Sequence, residues 1–148
     1  MHFRLPTEAE WEFTARAGTT TPKYWGDATE DACKYGSVSD PTAKNKFGFA
    51  WRVHNCEDGY EATAPVGSFN PNGFGIYDML GNVWEWTCSE YKETYDGSEQ
   101  TCTGKAARYV LRGGSWSSGT NGVRAARRIS EIPDFRIDSL GFRLARDK

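Results

Sequence analysis

From residue 19 to residue 75 the chain offers no sustained apolar periodicity. Turn-forming residues dominate, with aromatic residues scattered among them. A stretch of this kind does not build a helical bundle or a regular barrel. It reads as long ordered loops, and every buried amide and carbonyl in such loops needs an internal partner. Sixteen glycines, six tryptophans and seven tyrosines fit a loop-rich fold pinned by aromatic side chains. Aromatics at 14% and charged residues at 26% exclude intrinsic disorder. The 148 residues suffice for one domain that buries roughly two-thirds of its unfolded surface.

One helix start is explicit. Pro6-Thr7-Glu8-Ala9-Glu10 places Thr7 at the N-cap and Glu10 three residues on, a capping box. The helix runs through Arg16, and Gly18 is the expected left-handed stop. Short strands are expected at Trp84–Thr87, Tyr109–Arg112, Val123–Arg127 and Gly141–Ala145. Gly113-Gly114 breaks the second of these or lets another backbone approach closely. No linker, repeat or low-complexity segment divides the chain, so residues 1–148 read as a single domain.

The charge is uneven. Residues 103–148 hold ten Lys/Arg against four Asp/Glu, and residues 1–102 hold eight against sixteen. The C-terminal arginines alternate with apolar residues, as on half-buried strands, rather than forming a run. The expectation is therefore that nucleic acid is not a partner. No apolar stretch reaches the ~20 residues of a membrane span, and the first residues show no apolar leader. Cytoplasm is the default compartment, with a phage particle or the cell surface as the other settings.

Cys33, Cys56, Cys88 and Cys102 contain no CxxC spacing, which disfavours a zinc knuckle. Four cysteines allow two disulfides in three connectivities. Cys88 with Cys102 would close a short polar loop and Cys33 with Cys56 the other; four free thiols in a reducing compartment are the alternative.

Five segments together carry a family resemblance: RLPTEAEWE at residues 4–12, TAPVG at 63–67, GIYDMLGNVWEW at 75–86, RGGSW at 112–116 and GFRLAR at 141–146. In this order they resemble the formylglycine-generating-enzyme (sulfatase-modifying factor) family. The resemblance implies an α+β, C-type lectin-like fold, loop-rich with a small antiparallel sheet. Family members usually carry a further N-terminal half ahead of the RLPTEAEW helix. The chain is thus a minimal version of the fold or a piece of something longer.

The resemblance also defines what is missing. Oxygen-dependent members place two cysteines just after the GGS-aromatic motif, where they bind copper and oxidise a substrate cysteine. Residues 117–124 read SSGTNGVR instead. Serine replaces neither a thiolate nucleophile nor a soft copper ligand. The family's iron-dependent sulfoxide synthases use histidines, and His2 and His54 are too few for a three-histidine site. No catalytic residue is assigned. An oxidase of the family type and an accessory domain of a longer protein are the alternatives.

The resemblance further implies structural calcium. Asp78 and Glu85 would supply carboxylates, and Gly81 and Val83 carbonyls. A second site would use Asp58 and the carbonyl of Tyr60, with Asn45 as the upstream candidate.

Residues 112–146 resemble the variable region of diversity-generating retroelement proteins, which share this fold. Those elements rewrite adenines, commonly in asparagine codons. Reachable residues include Ser, Gly, Thr, Asp, Ile, Phe and Arg, but not Glu or Trp. The candidate ligand-binding positions are Ser117, Ser118, Gly119, Thr120, Asn121 and Gly122, then Arg128, Ile129 and Ser130, then Phe135, Ile137, Asp138 and Ser139; Asp134 has the same character. Glu131 belongs to the framework, and Trp116 either lines the site or lies in the core. A rigid scaffold with variable loops is a binding architecture.

Overall fold

The computed structural model describes residues 2–147. Its elements in chain order are β1 (Phe3–Arg4), α1 (Glu8–Arg16), α2 (Pro41–Phe47), β2 (Trp84–Glu90), β3 (Tyr109–Arg112), β4 (Arg128–Glu131), β5 (Leu140–Gly141) and β6 (Ala145–Arg146). Two single 3-10 turns, Ala32–Lys34 and Ser98–Gln100, interrupt the loops. β2, β3 and β4 form an antiparallel meander, and β5 joins β2 in parallel, giving the order β4-β3-β2-β5. β1 and β6 pair separately and bring the two ends of the described chain together. No helix among the described residues is long and apolar enough to cross a membrane.

The capping box at α1 forms as expected. Thr7 Oγ1 accepts the Glu10 N–H, and Glu10 Oε2 accepts the Thr7 N–H at 2.8 Å. Arg4 grips the same carboxylate through both terminal nitrogens and holds Glu10 down at about 2. The helix ends at a left-handed Ala17 (φ 46°), and Gly18 after it is left-handed as expected (φ 86°).

α2 was not expected. Its cap signals are nevertheless present: Asp40 accepts the Ala43 N–H, Pro41 stands in the first turn and Gly48 ends the helix left-handed. The expected strand over 123–127 does not form. Val123 and Ala125 are fully buried and their neighbours exposed, so the alternation is real. The Ala125 N–H goes to the Pro22 carbonyl, however, and Arg127 N–H to Arg124, which makes this a buried turn. The strand begins at Arg128. Likewise 141–145 splits, Leu140–Gly141 joining one sheet and Ala145–Arg146 the other.

The core gathers Trp11 and Ala15 of α1 with Val38, Met79, Leu80 and Val123 from loops. Tyr24 meets Trp25 and Tyr35 edge-on, at 4.8 and 5.6 Å, while Trp25 and Tyr35 stack. Loop amides find internal partners. The Asn82 side chain exchanges two hydrogen bonds with the backbone of Ala64, its N–H reaches Ser37 and its carbonyl accepts the Trp116 N–H. One residue thus joins four segments. Gly113 (φ 99°) admits a close approach: its carbonyl accepts the Gly81 N–H, and a Cβ there would stand 3.1 Å from the Trp11 ring.

Candidate functional site

All four described cysteines are in disulfides, Cys33–Cys56 and Cys88–Cys102. The first anchors the aromatic cluster, because the partly buried Cys33 and Cys56 pack on the core. The second ties β2 to the loop after Ser98–Gln100. Thr103 N–H donates to the Cys88 carbonyl beside it. Copper chemistry of the family type needs thiolates at the segment after Trp116. That segment supplies the hydroxyls of Ser117 and Ser118, both hydrogen-bonded to Ser115 Oγ ahead of Trp116. These residues do not fit a copper site.

Three arginines of the basic C-terminal part are used inside the molecule. Arg112 has no exposed surface, lies over the Trp11 ring at 5.4 Å and pairs with Glu8 and Glu12. Arg128 grips buried Glu8 with contacts of 2.6 and 2.8 Å and stacks on Tyr91 and Tyr95. Arg143 grips Glu85. Removing one partner from such a buried pair strands the other charge, at about 3–5 kcal/mol.

This geometry bears on the calcium expectation. Glu85 faces Arg143 through both oxygens, and Oε2 also accepts the Trp11 indole N–H at 2.6 Å. Arg143 reaches the carbonyls of Tyr77 and Asp78 as well. Burial works against the charge on Arg143, and Glu85 outweighs it, holding the guanidinium above its ordinary value. Asp78 Oδ2 accepts the Gly67 N–H; Asp78 Oδ1 is buried without a partner. Calcium seeks six to eight oxygens. The residues here offer one unclaimed carboxylate oxygen beside a guanidinium, with the carbonyls of Gly81 and Val83. They do not fit a calcium site that needs Glu85 free. At the second position both Asp58 oxygens accept backbone N–H groups, from Val38 and Tyr60. Burial raises the Asp58 pKa against the pull of those amides. Asn45 lies on the exposed side of α2, and no hydrogen bond joins it to Asp58 among the described residues.

The thirteen candidate binding positions separate into two regions. Residues 117–122 form a tight loop after β3. Ser118 accepts the Ser39 N–H on its carbonyl, and Thr120 donates to the Arg52 carbonyl. A Cβ on Gly119 would come within 2.5 Å of the Arg52 carbonyl and 2.8 Å of the Trp51 ring. Gly119 is therefore committed to glycine. Asn121 is exposed, and Ser117 and Thr120 are partly exposed. Trp116, ahead of them, is buried.

The second region crosses the sheet face opposite α1. Phe135 and Ile137, with Leu140 and Phe142, overhang a cleft of about 620 Å³ floored by Trp86 and Tyr109. Ile137 and Phe142 are exposed at its mouth, Asp138 is exposed beside it, and Arg136 is its one charged lining residue. A cleft of this size and lining suits a ligand. Trp86 and Tyr109 were not expected at a site; their alternation with Glu85, Thr87 and Val110 along β2 and β3 was the available signal.

Two of the expected positions belong to the framework. Arg128 turns inward to Glu8, and Ser139 is buried with its carbonyl taken by the Trp84 N–H. Ile129 and Ser130 lie on edge strand β4, where Ser130 accepts from Arg108 through Oγ and carbonyl. No hydrogen bond links loop 117–122 to segment 135–139 among the described residues.

The family described as "Sulfatase-modifying factor enzyme 1-like domain" matches residues 2–148. Formylglycine-generating enzyme of Streptomyces coelicolor is 41% identical over 152 residues, covering 97% of this chain and 46% of its own. Inactive C-alpha-formylglycine-generating enzyme 2 of Bos taurus is 38% identical, covering 96% and 43%. Among solved structures, Treponema denticola variable protein 1 superposes with a TM-score of 0.76 at 29% identity, covering 96% of this chain and 46% of that one. PvdO from Pseudomonas aeruginosa gives 0.75 at 31%, covering 96% and 51%. The chain spans about half the length of these relatives.

Proposed function

The chain belongs to the family of sulfatase-modifying factor enzyme 1-like domains, and from that premise we propose that it is a non-catalytic member that presents its C-terminal loops to a macromolecular ligand. One observation carries the reading. Every described cysteine is held in a disulfide, and the segment where oxidation would occur offers hydroxyls instead of thiols. A hydroxyl supplies neither the thiolate nor the soft ligand that copper oxidation needs. The similarity to an inactive relative and to a variable protein supports it.

The binding positions are Ser117, Thr120 and Asn121 on one loop and Phe135, Ile137 and Asp138 above the cleft. The ligand is a protein. The test is to incubate the protein with copper and a cysteine-containing peptide and follow the peptide by mass spectrometry. An unchanged cysteine supports the proposal; conversion to an aldehyde would overturn it.

We further propose that codons 112–146 are diversified by a retroelement. The open positions hold residues reachable from asparagine codons by adenine changes. A near-copy of this coding segment in the flanking DNA, differing only at adenines, is the expected finding. Its absence would remove diversification and leave the binding reading standing.

A further inference from the structure

Next to loop 117–122 lies a surface with no part in the core. Phe47, Phe49 and Trp51 alternate along the chain where α2 ends and stack in register. Their ring centroids are 5.8 and 4.5 Å apart, and the planes lie within 17° and 16° of parallel. Trp116 backs this ridge, 4.9 Å from Phe47 and 6.0 Å from Phe49. Phe47 and Trp51 are each 47% exposed. A stack of three aromatic rings whose two outer members are left in water marks an interaction surface rather than ordinary apolar exposure.

The ridge is joined to the loop. Thr120 bonds to the Arg52 carbonyl, and Gly119 lies against the Trp51 ring. Its margin is cationic. Lys44 lies one helical turn before Phe47, Arg52 follows Trp51, and Arg124 is anchored to the Asn121 carbonyl at 2.9 Å. All three are exposed, and none forms an ion pair among the described residues. Lys46 alone is neutralised, by Glu61 at 3.4 Å. Lys105, Arg127, Arg136 and Arg146 are also outside any ion pair among the described residues, so this margin is one of several unpaired positive positions and the one that adjoins the ridge.

We propose that the Phe47–Phe49–Trp51 ridge and loop 117–122 form one docking surface for an acidic polypeptide segment that carries aromatic residues. The proposal rests on the reading of this loop as ligand-binding and adds the partner's chemistry. Aromatic rings of the partner stack on Trp51 and Phe47, the usual anchoring role of exposed aromatics at interfaces. Its carboxylates meet Lys44, Arg52 and Arg124, which steer the approach. The small hydroxyl residues of the loop leave room beside the ridge.

The experiment is fluorescence anisotropy at low salt with a labelled octapeptide of alternating Glu and Tyr. An alternating Lys-Tyr octapeptide and a single-stranded oligothymidylate serve as comparators. The Glu-Tyr peptide is expected to bind, with affinity reduced about tenfold or more by Trp51→Ala and by the double change Arg52→Glu with Arg124→Glu. Trp51→Phe is expected to retain binding, and Lys105→Glu, at an exposed lysine outside the ridge and the loop, to leave it unchanged. The two arginine changes lie on the surface, so a Trp51 variant that fails to fold does not remove the test. Four outcomes would overturn the inference: no binding of the Glu-Tyr peptide, equal binding of the Lys-Tyr peptide, tighter binding of oligothymidylate, or equal loss in Lys105→Glu. Conversion of a peptide cysteine sinks the underlying binding reading instead, and is scored separately.

Discussion

Arg143 faces Glu85 through two parallel contacts, Nε to Oε2 and Nη2 to Oε1, each 2.7 Å long. The pair occupies the loop where a family resemblance leads one to look for calcium. Because Arg143 already neutralises Glu85, the melting temperature is expected to be the same in millimolar calcium and in EDTA. Arg143→Ala is expected to cost about 3 kcal/mol, since it leaves a nearly buried carboxylate with the Trp11 indole as its only side-chain donor. A calcium-dependent rise in the parent's melting temperature would return the ion to this loop.

Arg112 is the most deeply committed charge in the molecule. Arg112→Leu leaves Glu12 without its buried partner, and leaves Glu8 to Arg128 alone. The expected cost is about 3–5 kcal/mol, read from urea unfolding of parent and variant. A loss under 1 kcal/mol would mean that Glu12 swings into solvent when released.

His54 supplies the pH dependence. It is fully buried, with Nδ1 against the Ser39 carbonyl and Nε2 without a partner. Burial, and then nearby Lys23, lower its pKa below the ordinary 6.5, against the pull of the Ser39 carbonyl and Asp40. The unfolded chain therefore takes a proton at 6.5 that the folded one refuses. The contribution of neutral His54 is complete above pH 6.5 and is lost as pH falls below it. His54→Gln is expected to flatten stability between pH 7 and 5.5, where the parent declines. The same slope in both proteins would show that another group titrates there.

Within loop 117–122, neighbouring positions are expected to respond differently. Gly119→Ala drives a methyl into the Arg52 carbonyl and is expected to cost about 1–3 kcal/mol. Asn121→Ala and Thr120→Ala are expected to stay within about 0.5 kcal/mol, as exposed or half-exposed side chains do. Thermal melts of the three variants decide this; a tolerated Gly119→Ala would show that the loop lifts off Arg52.

The sequence spoke clearly where one residue's chemistry answers to its near neighbours. The Thr7–Glu10 capping box and strand Tyr109–Arg112 are local in this sense. So are the cap signals of α2, Asp40-Pro41 and Gly48, which passed unread inside a stretch taken as loop. Alternation over Val123–Arg127 correctly separated buried from exposed positions. It said nothing about pairing, because sidedness and a strand partner are different properties. The inward turn of Arg128 depends on Glu8, 120 residues away, and that of Ser139 on Trp84. Residue type alone made both look free. The aromatic ridge escaped notice for the opposite reason: Phe47, Phe49 and Trp51 look like core until the fold leaves them outside it.

The contact between Gly119 and the Arg52 carbonyl has a consequence for heredity. If an asparagine codon stood at position 119 and were randomised, nearly every product would carry a side chain that the backbone has no room for. The same process at Asn121 yields a protein with a new face from almost every draw. The number of distinct surfaces such a gene can display is set by how many of its mutable codons lie on the solvent side of that contact. Each codon on the other side only thins the offspring.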